Sequence, residues 1–158
     1  MTKVFAESDI TIDTLAAHIR DSGLVPHEVQ PDGIWLRTEN GIGYRITLVT
    51  DKTFIRIGTY LPLRRDVSVE KKRELARRLN EEVFMPVFTL DQDEDLIVSY
   101  VLPYAQGLIA GNFIYVVNRF GSLLEYVVQT FNADALIDFD GVSIPSGGSE
   151  ISGGERLH

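Results

Sequence analysis

Four strand-like runs lie between residues 25 and 61, and the gaps between them are too short for anything but turns. A parallel connection needs a crossover of about a dozen residues. The region is therefore expected to fold as an antiparallel meander. The runs are Val25 to Gln30, Ile34 to Thr38, Gly43 to Thr50 and Thr53 to Leu61. Pro26 places the first at a sheet edge, because proline cannot donate to a ladder. Pro31-Asp32-Gly33, Asn40-Gly41 and Asp51-Lys52 supply the turns, with Asn-Gly the strongest hairpin signal. Tyr44, Ile46 and Leu48 alternate with Arg45, Thr47 and Val49, as a half-buried strand requires.

Helical periodicity flanks this sheet. Ile12, Leu15, Ala16 and Ile19 share one face of a helix expected near Ile10 to Ser22, capped by Asp9 or Thr11 and stopped by Gly23. Ser68 caps a second helix, Val69 to Val83, with Leu75, Ala76, Leu79 and Val83 as a narrow apolar stripe. Glu74 is placed to pair with Arg78 four residues on. A second hairpin follows, Val87 to Leu90 and Leu96 to Leu102, joined by Asp91-Gln92-Asp93-Glu94-Asp95. A third helix is expected from Ala110 to Phe131. The order α-ββββ-α-ββ-α defines an α+β fold, an antiparallel sheet with helices packed on it.

At 158 residues, 44% of them apolar, the chain is long enough for one domain with a real core. We expect a single domain over 1–140 and a flexible Gly/Ser-rich tail over 141–158. Leu108 to Phe131 is too polar for a lipid-spanning helix, with Asn112, Asn118, Arg119, Glu125 and Gln129 inside it. The amino terminus lacks the apolar run of a signal peptide. A cytoplasmic protein without membrane association is the expectation.

The chemical inventory is sparse. There are no cysteines, and the histidines are His18, His27 and His158. Asp91-x-Asp93-x-Asp95 fails as a calcium loop, because Leu96 and Leu102 stand where the loop needs Gly and Glu. A solvated hairpin turn is the better reading. Gly41-Ile42-Gly43 runs into a strand rather than a helix, so it is no phosphate loop. Gly121-Ser122 lacks the pattern of a nucleophile elbow. We expect no catalytic residue, no cofactor and no metal. The net charge of −8 argues against a nucleic-acid partner.

Charge and hydrophobicity nonetheless mark two regions. From Arg64 to Arg78 there are seven bases and three acids, against ten acids and two bases from Asp91 onward. This is either a solvated helix face or a docking face for an acidic partner, with Arg77 and Arg78 as its candidates. On the third helix Phe113, Val117, Phe120, Leu124 and Val127 form one apolar stripe, which Phe131 continues. Ile114, Tyr115, Val116, Leu123, Tyr126 and Val128 widen it beyond one face. Such a helix is either nearly buried in its own chain or meets a second copy. We assign the five stripe residues to a homodimer interface. Gly121 in its middle suits close packing.

The succession of elements resembles the YbjN family of bacterial sensory transduction regulators, which is similar in fold to type III secretion chaperones of the Tir-chaperone kind. The likeness covers about Ile10 to Phe131. It runs through Leu15 to Leu24, the Pro-Asp-Gly turn and Ile34-Trp35-Leu36. It continues in Phe54-Ile55-Arg56-Ile57, in the helix bearing Leu75, Leu79 and Asn80, and in Val87-Phe88-Thr89-Leu90 with its acidic turn. Leu96 to Pro103 and the closing helix after Gly107-Leu108 complete it. The resemblance implies a secretion chaperone-like fold, a homodimer and a role in binding or regulating other proteins, with no catalytic residues to carry over. Secretion-type chaperones take client segments by strand addition and apolar pockets. Pockets of that kind would here be lined by Trp35, Leu36, Phe54 and Ile57, for which plain core is the competing role. The alternative function is a small-molecule sensor, its ligand enclosed between the sheet and the third helix with Trp35, Tyr44, Tyr60, Tyr100 and Tyr104 as handles.

Overall fold

The turns fall where the sequence places them, and each has a local cause. Gly41 adopts φ +89°, and Thr38 closes the loop around it by bonding the backbone N–H of Ile42 through Oγ1 at 3.1 Å. In this computed structural model, which describes residues 2–139, the strands are β1 (Val4–Phe5), β2 (Glu28–Gln30), β3 (Gly33–Arg37), β4 (Gly43–Val49), β5 (Phe54–Leu61), β6 (Val87–Leu90), β7 (Leu96–Pro103) and β8 (Leu108–Ile109). The helices are α1 (Ile12–Asp21), α2 (Val69–Glu82) and α3 (Ala110–Thr130). The α-ββββ-α-ββ-α order is thus present. The sequence reading missed β1 and β8, which pair antiparallel as a separate two-stranded sheet. Two-residue strands carry no periodicity to detect. The tail expected over 141–158, and His158, lie outside the described residues.

The main sheet has six strands in the order β2-β3-β4-β5-β7-β6, with β2–β3, β3–β4 and β6–β7 antiparallel. Contacts divide the described residues into two compact units, 2–57 with Val101–Leu124 and Gly58–Tyr100 with 125–139. The division falls within β5, β7 and α3 rather than in linkers.

In the first unit, Thr11 caps α1 through a capping box with Thr14, and Gly23 ends the helix at φ +92°. Alternation puts Ile34, Leu36, Tyr44 and Ile46 in the core, and the register sets Ile34 opposite Ile46 and Leu36 opposite Tyr44. Leu15, Ile19, Ile55, Ile57, Phe113, Val117 and Phe120 are fully buried with them. Gly121 has a specific purpose. A Cβ there would stand 3.0 Å from the Tyr44 hydroxyl, which reaches the carbonyl of Val117 at 3.4 Å. His18 is structural, with Nε2 3.2 Å from the Ala110 carbonyl and the Phe5 ring edge-on at 5.4 Å.

In the second unit, Ser68 caps α2. Leu75, Leu79, Val83, Phe88, Leu96 and Val98 form the core, and α2 packs on β6. The chain after α3 returns to the segment following β5, where Leu63 bridges Ile137 and the Arg64 N–H bonds the Leu136 carbonyl.

Candidate functional site

The run of basic residues begins before α2 at Arg64 and Arg65 and continues along the helix, and the structure shows what most of them face. Asp95 is fully buried, and one of its oxygens accepts from the Leu63 N–H at 3.0 Å. Its other oxygen accepts from Arg65 Nη2, also at 3.0 Å, while Arg65 Nη1 reaches the Asp93 carbonyl. Lys72, only 2% exposed, meets Glu94 at 3.2 Å. The acidic turn is therefore a hairpin, as expected, but not a merely solvated one. It supplies the counter-charges of Arg65 and Lys72, and Asp91 braces it from within by accepting from the N–H groups of Asp93 and Asp95.

Other bases are paired along the surface. Arg64 forms a two-point contact with Asp66, which holds the Asp66 carboxyl below its usual range. Glu74 pairs with Arg77 rather than with Arg78 as the four-residue spacing suggested. Arg77 also reaches Glu81, so it sits between two carboxylates that raise its pKa. Arg78 lies with its guanidinium 5.7 Å from the centre of the Phe131 ring.

Two open grooves flank this helix. The first, about 420 Å³, is lined by Arg64, Val67, Lys71, Glu74, Leu75, Arg78, Asp134 and Leu136. The second, about 600 Å³, lies between α2 and β6 and includes Val69, Arg73, Ala76, Arg77, Asn80 and Thr89. Beside it the Asn80 side chain bonds both groups of the Phe88 peptide at 2.8 Å. Asn80 thereby takes the place a neighbouring strand would occupy on the β6 edge. The opposite edge is β2, three residues long between Pro26 and Pro31. Both edges are guarded against strand addition.

The expected site residues separate accordingly. Leu36 (4% exposed) and Ile57 (0%) are core, which corrects their assignment to a partner pocket. Strand alternation points them away from solvent. Trp35 is half-buried, and the Arg45 guanidinium, itself held by Asp32 at 3.0 Å, covers its ring at 4.5 Å. Phe54 is half-buried on β5. Arg77 and Arg78 line the two grooves. Phe113, Val117, Phe120, Leu124 and Val127 are 0–1% exposed within the single chain. Side chains with no remaining surface cannot form an interface, so the stripe assigned to a dimer is the chain's own core. The exposed face of α3 carries Tyr115 (64%) and Tyr126 (47%) instead. Neither groove is lined by Trp35, Tyr44, Tyr60, Tyr100 or Tyr104. Among the described residues no cluster of three or more His, Asp or Glu side chains suits a metal ion, and no helix is long and apolar enough to cross a membrane.

The sequence reading missed Val67, Asp134 and Leu136 as groove residues. Lys71, Leu75 and Arg78 were legible as an i, i+4, i+7 face. Leu136 reaches the groove only through the return of the chain after α3.

A helix-flanked antiparallel sheet with guarded edges and open side-chain grooves defines an α+β protein of the YbjN and secretion-chaperone fold. The sequence profile of the YbjN family, described as "Putative bacterial sensory transduction regulator", matches residues 11–133. The chain belongs to the YbjN family. Among solved structures it is similar to YbjN from E. coli, described as "a putative transcription regulator", with a TM-score of 0.69 and 22% identity over 82% of this chain and 96% of that one. It is also similar to a chain of the HopA1–SchA chaperone–effector complex, with a TM-score of 0.51 and 12% identity over 73% of this chain and 88% of that one. A search of curated proteins found no match.

Proposed function

We propose that the protein is a non-enzymatic regulatory or chaperone-like module that binds a segment of a partner protein along α2. The observation that carries this reading is the pair of open grooves beside that helix, one of about 420 Å³ and one of about 600 Å³. Open grooves lined by mixed apolar and charged side chains suit a peptide segment better than an enclosed small molecule. Family membership and a fold shared with a chaperone–effector complex support the same reading. Phe84, 80% exposed, and Val87, 53%, add apolar surface next to the end of α2. Side-chain docking replaces strand addition in this scheme, because Asn80 occupies the β6 edge. A homodimer in the cytoplasm is part of the proposal, with Tyr115 and Tyr126 as its seat.

The test is native affinity purification from the source cell with lysine-directed cross-linking. A partner protein cross-linked at Lys71 on α2 is the expected result. Recovery of no protein partner would overturn the reading. A thermal shift with a small metabolite, and none with a partner, would favour the sensor alternative.

A further inference from the structure

Most of the positive charge between Arg64 and Arg78 is neutralised inside its own unit. Arg64 faces Asp66, Arg65 faces Asp95, Lys72 faces Glu94, and Arg77 lies between Glu74 and Glu81. On the first groove this leaves Lys71, exposed and without a carboxylate partner within 4.0 Å among the described residues, and Arg78, stacked on Phe131. They stand seven residues apart on one face of α2, about 10 Å at 1.5 Å per residue. Leu75 lies between them, and Val67 and Leu136 complete an apolar floor. Glu74 on the rim is already held by Arg77, and Asp134 stands among the lining residues. The groove is thus an aliphatic trough whose α2 side is cationic, on a chain of net charge −8. An acidic segment meets a net negative charge on such a molecule, and here two cations without a carboxylate partner among the described residues.

We infer that this groove takes a peptide segment in which an aliphatic side chain is flanked by carboxylates. The inference rests on the protein-binding reading and specifies the chemistry of its partner. The aliphatic side chain would lie on Val67, Leu75 and Leu136, and the carboxylates would reach Lys71 and Arg78.

The test uses the full chain and a fluorescein-labelled, capped peptide of alternating glutamate and leucine, read by fluorescence anisotropy. Lysine–leucine and glutamate–glycine peptides of equal length are the controls. We expect the glutamate–leucine peptide to bind and the lysine–leucine peptide not to. The glutamate–glycine peptide should bind about tenfold or more weakly, since burying one leucine is worth that much. Added salt should weaken binding. Lys71→Glu should weaken it about tenfold or more, and Lys71 is exposed enough that this variant keeps its fold. Arg78→Gln gives a second reading. No binding by the wild type, equal binding of both charged peptides, or indifference to Lys71→Glu would overturn the inference. So would binding of phosphatidylserine vesicles in place of the peptide. A native partner captured equally by wild type and Lys71→Glu overturns this inference and leaves the protein-binding reading standing. Peptide binding with no native partner does the reverse.

Discussion

Tyr44 shows how much one buried polar side chain can control. It is 6% exposed beneath α3, and burial pushes its pKa up to about 12. The neutral phenol is the form the fold holds. The stabilisation is fully present below the unfolded pKa of about 10 and is lost as pH rises through the folded value. We expect stability to fall by on the order of 2–3 kcal/mol between pH 10 and 12, at about 1.4 kcal/mol per pKa unit. Urea melts of wild type and Tyr44→Phe at both ends of that range check it, and the variant should lack this part of the decline. The same hydroxyl explains Gly121. Alanine there gains up to about 1 kcal/mol of helix propensity but must displace the hydroxyl 3.0 Å away. Gly121→Ala should therefore be more favourable in the Tyr44→Phe background, by about 0.5–1 kcal/mol in a double-mutant cycle. Additive effects would refute the contact.

At the scale of elements, α2, β6 and the acidic turn are joined by a few polar contacts. Asn80→Ala removes two hydrogen bonds of 2.8 Å to the Phe88 peptide and opens the β6 edge. A loss of about 1–3 kcal/mol in chemical denaturation is expected. The Lys72–Glu94 pair supplies a sharper comparison, because its lysine is buried and its glutamate is 48% exposed. Glu94→Ala leaves a buried ammonium without its partner. Lys72→Met removes the charge and keeps the packing, so it should cost less, by about 1–2 kcal/mol after allowing for solvent at Glu94. The reverse order would show that the pair itself is stabilising. The elements were largely readable in advance, since alternation, caps and turn residues are local properties. Ser68, Thr11 and Gly23 act where the sequence places them. The pairing of Arg65 with Asp95 was not readable, because the partners lie thirty residues apart and meet only through the sheet.

At the scale of the whole molecule, the question is which surface meets another chain. Phe120 is completely buried. Phe120→Asp places an unpaired charge in the core and should cost more than about 4 kcal/mol, abolishing cooperative unfolding rather than splitting a dimer. Tyr115→Asp and Tyr126→Asp alter exposed positions. They should leave melting unchanged and, on the dimer proposal, bring a solution mass near twice 17.7 kDa down to 17.7 kDa by light scattering. A monomeric wild type would sink the dimer.

The sequence by itself determined the α+β class, the order of the long elements and the family. Those follow from periodicity, capping and turn chemistry, which act over a few residues. Only the tertiary structure decided which side chains are left for a partner. The broad apolar arc of α3 was equally consistent with burial in one chain or between two, because periodicity gives a face but not what covers it. The basic run likewise gave charge without its partners. Folding brought the acidic turn against Arg65 and Lys72, and it brought Leu136 back to line a groove with Lys71 and Arg78.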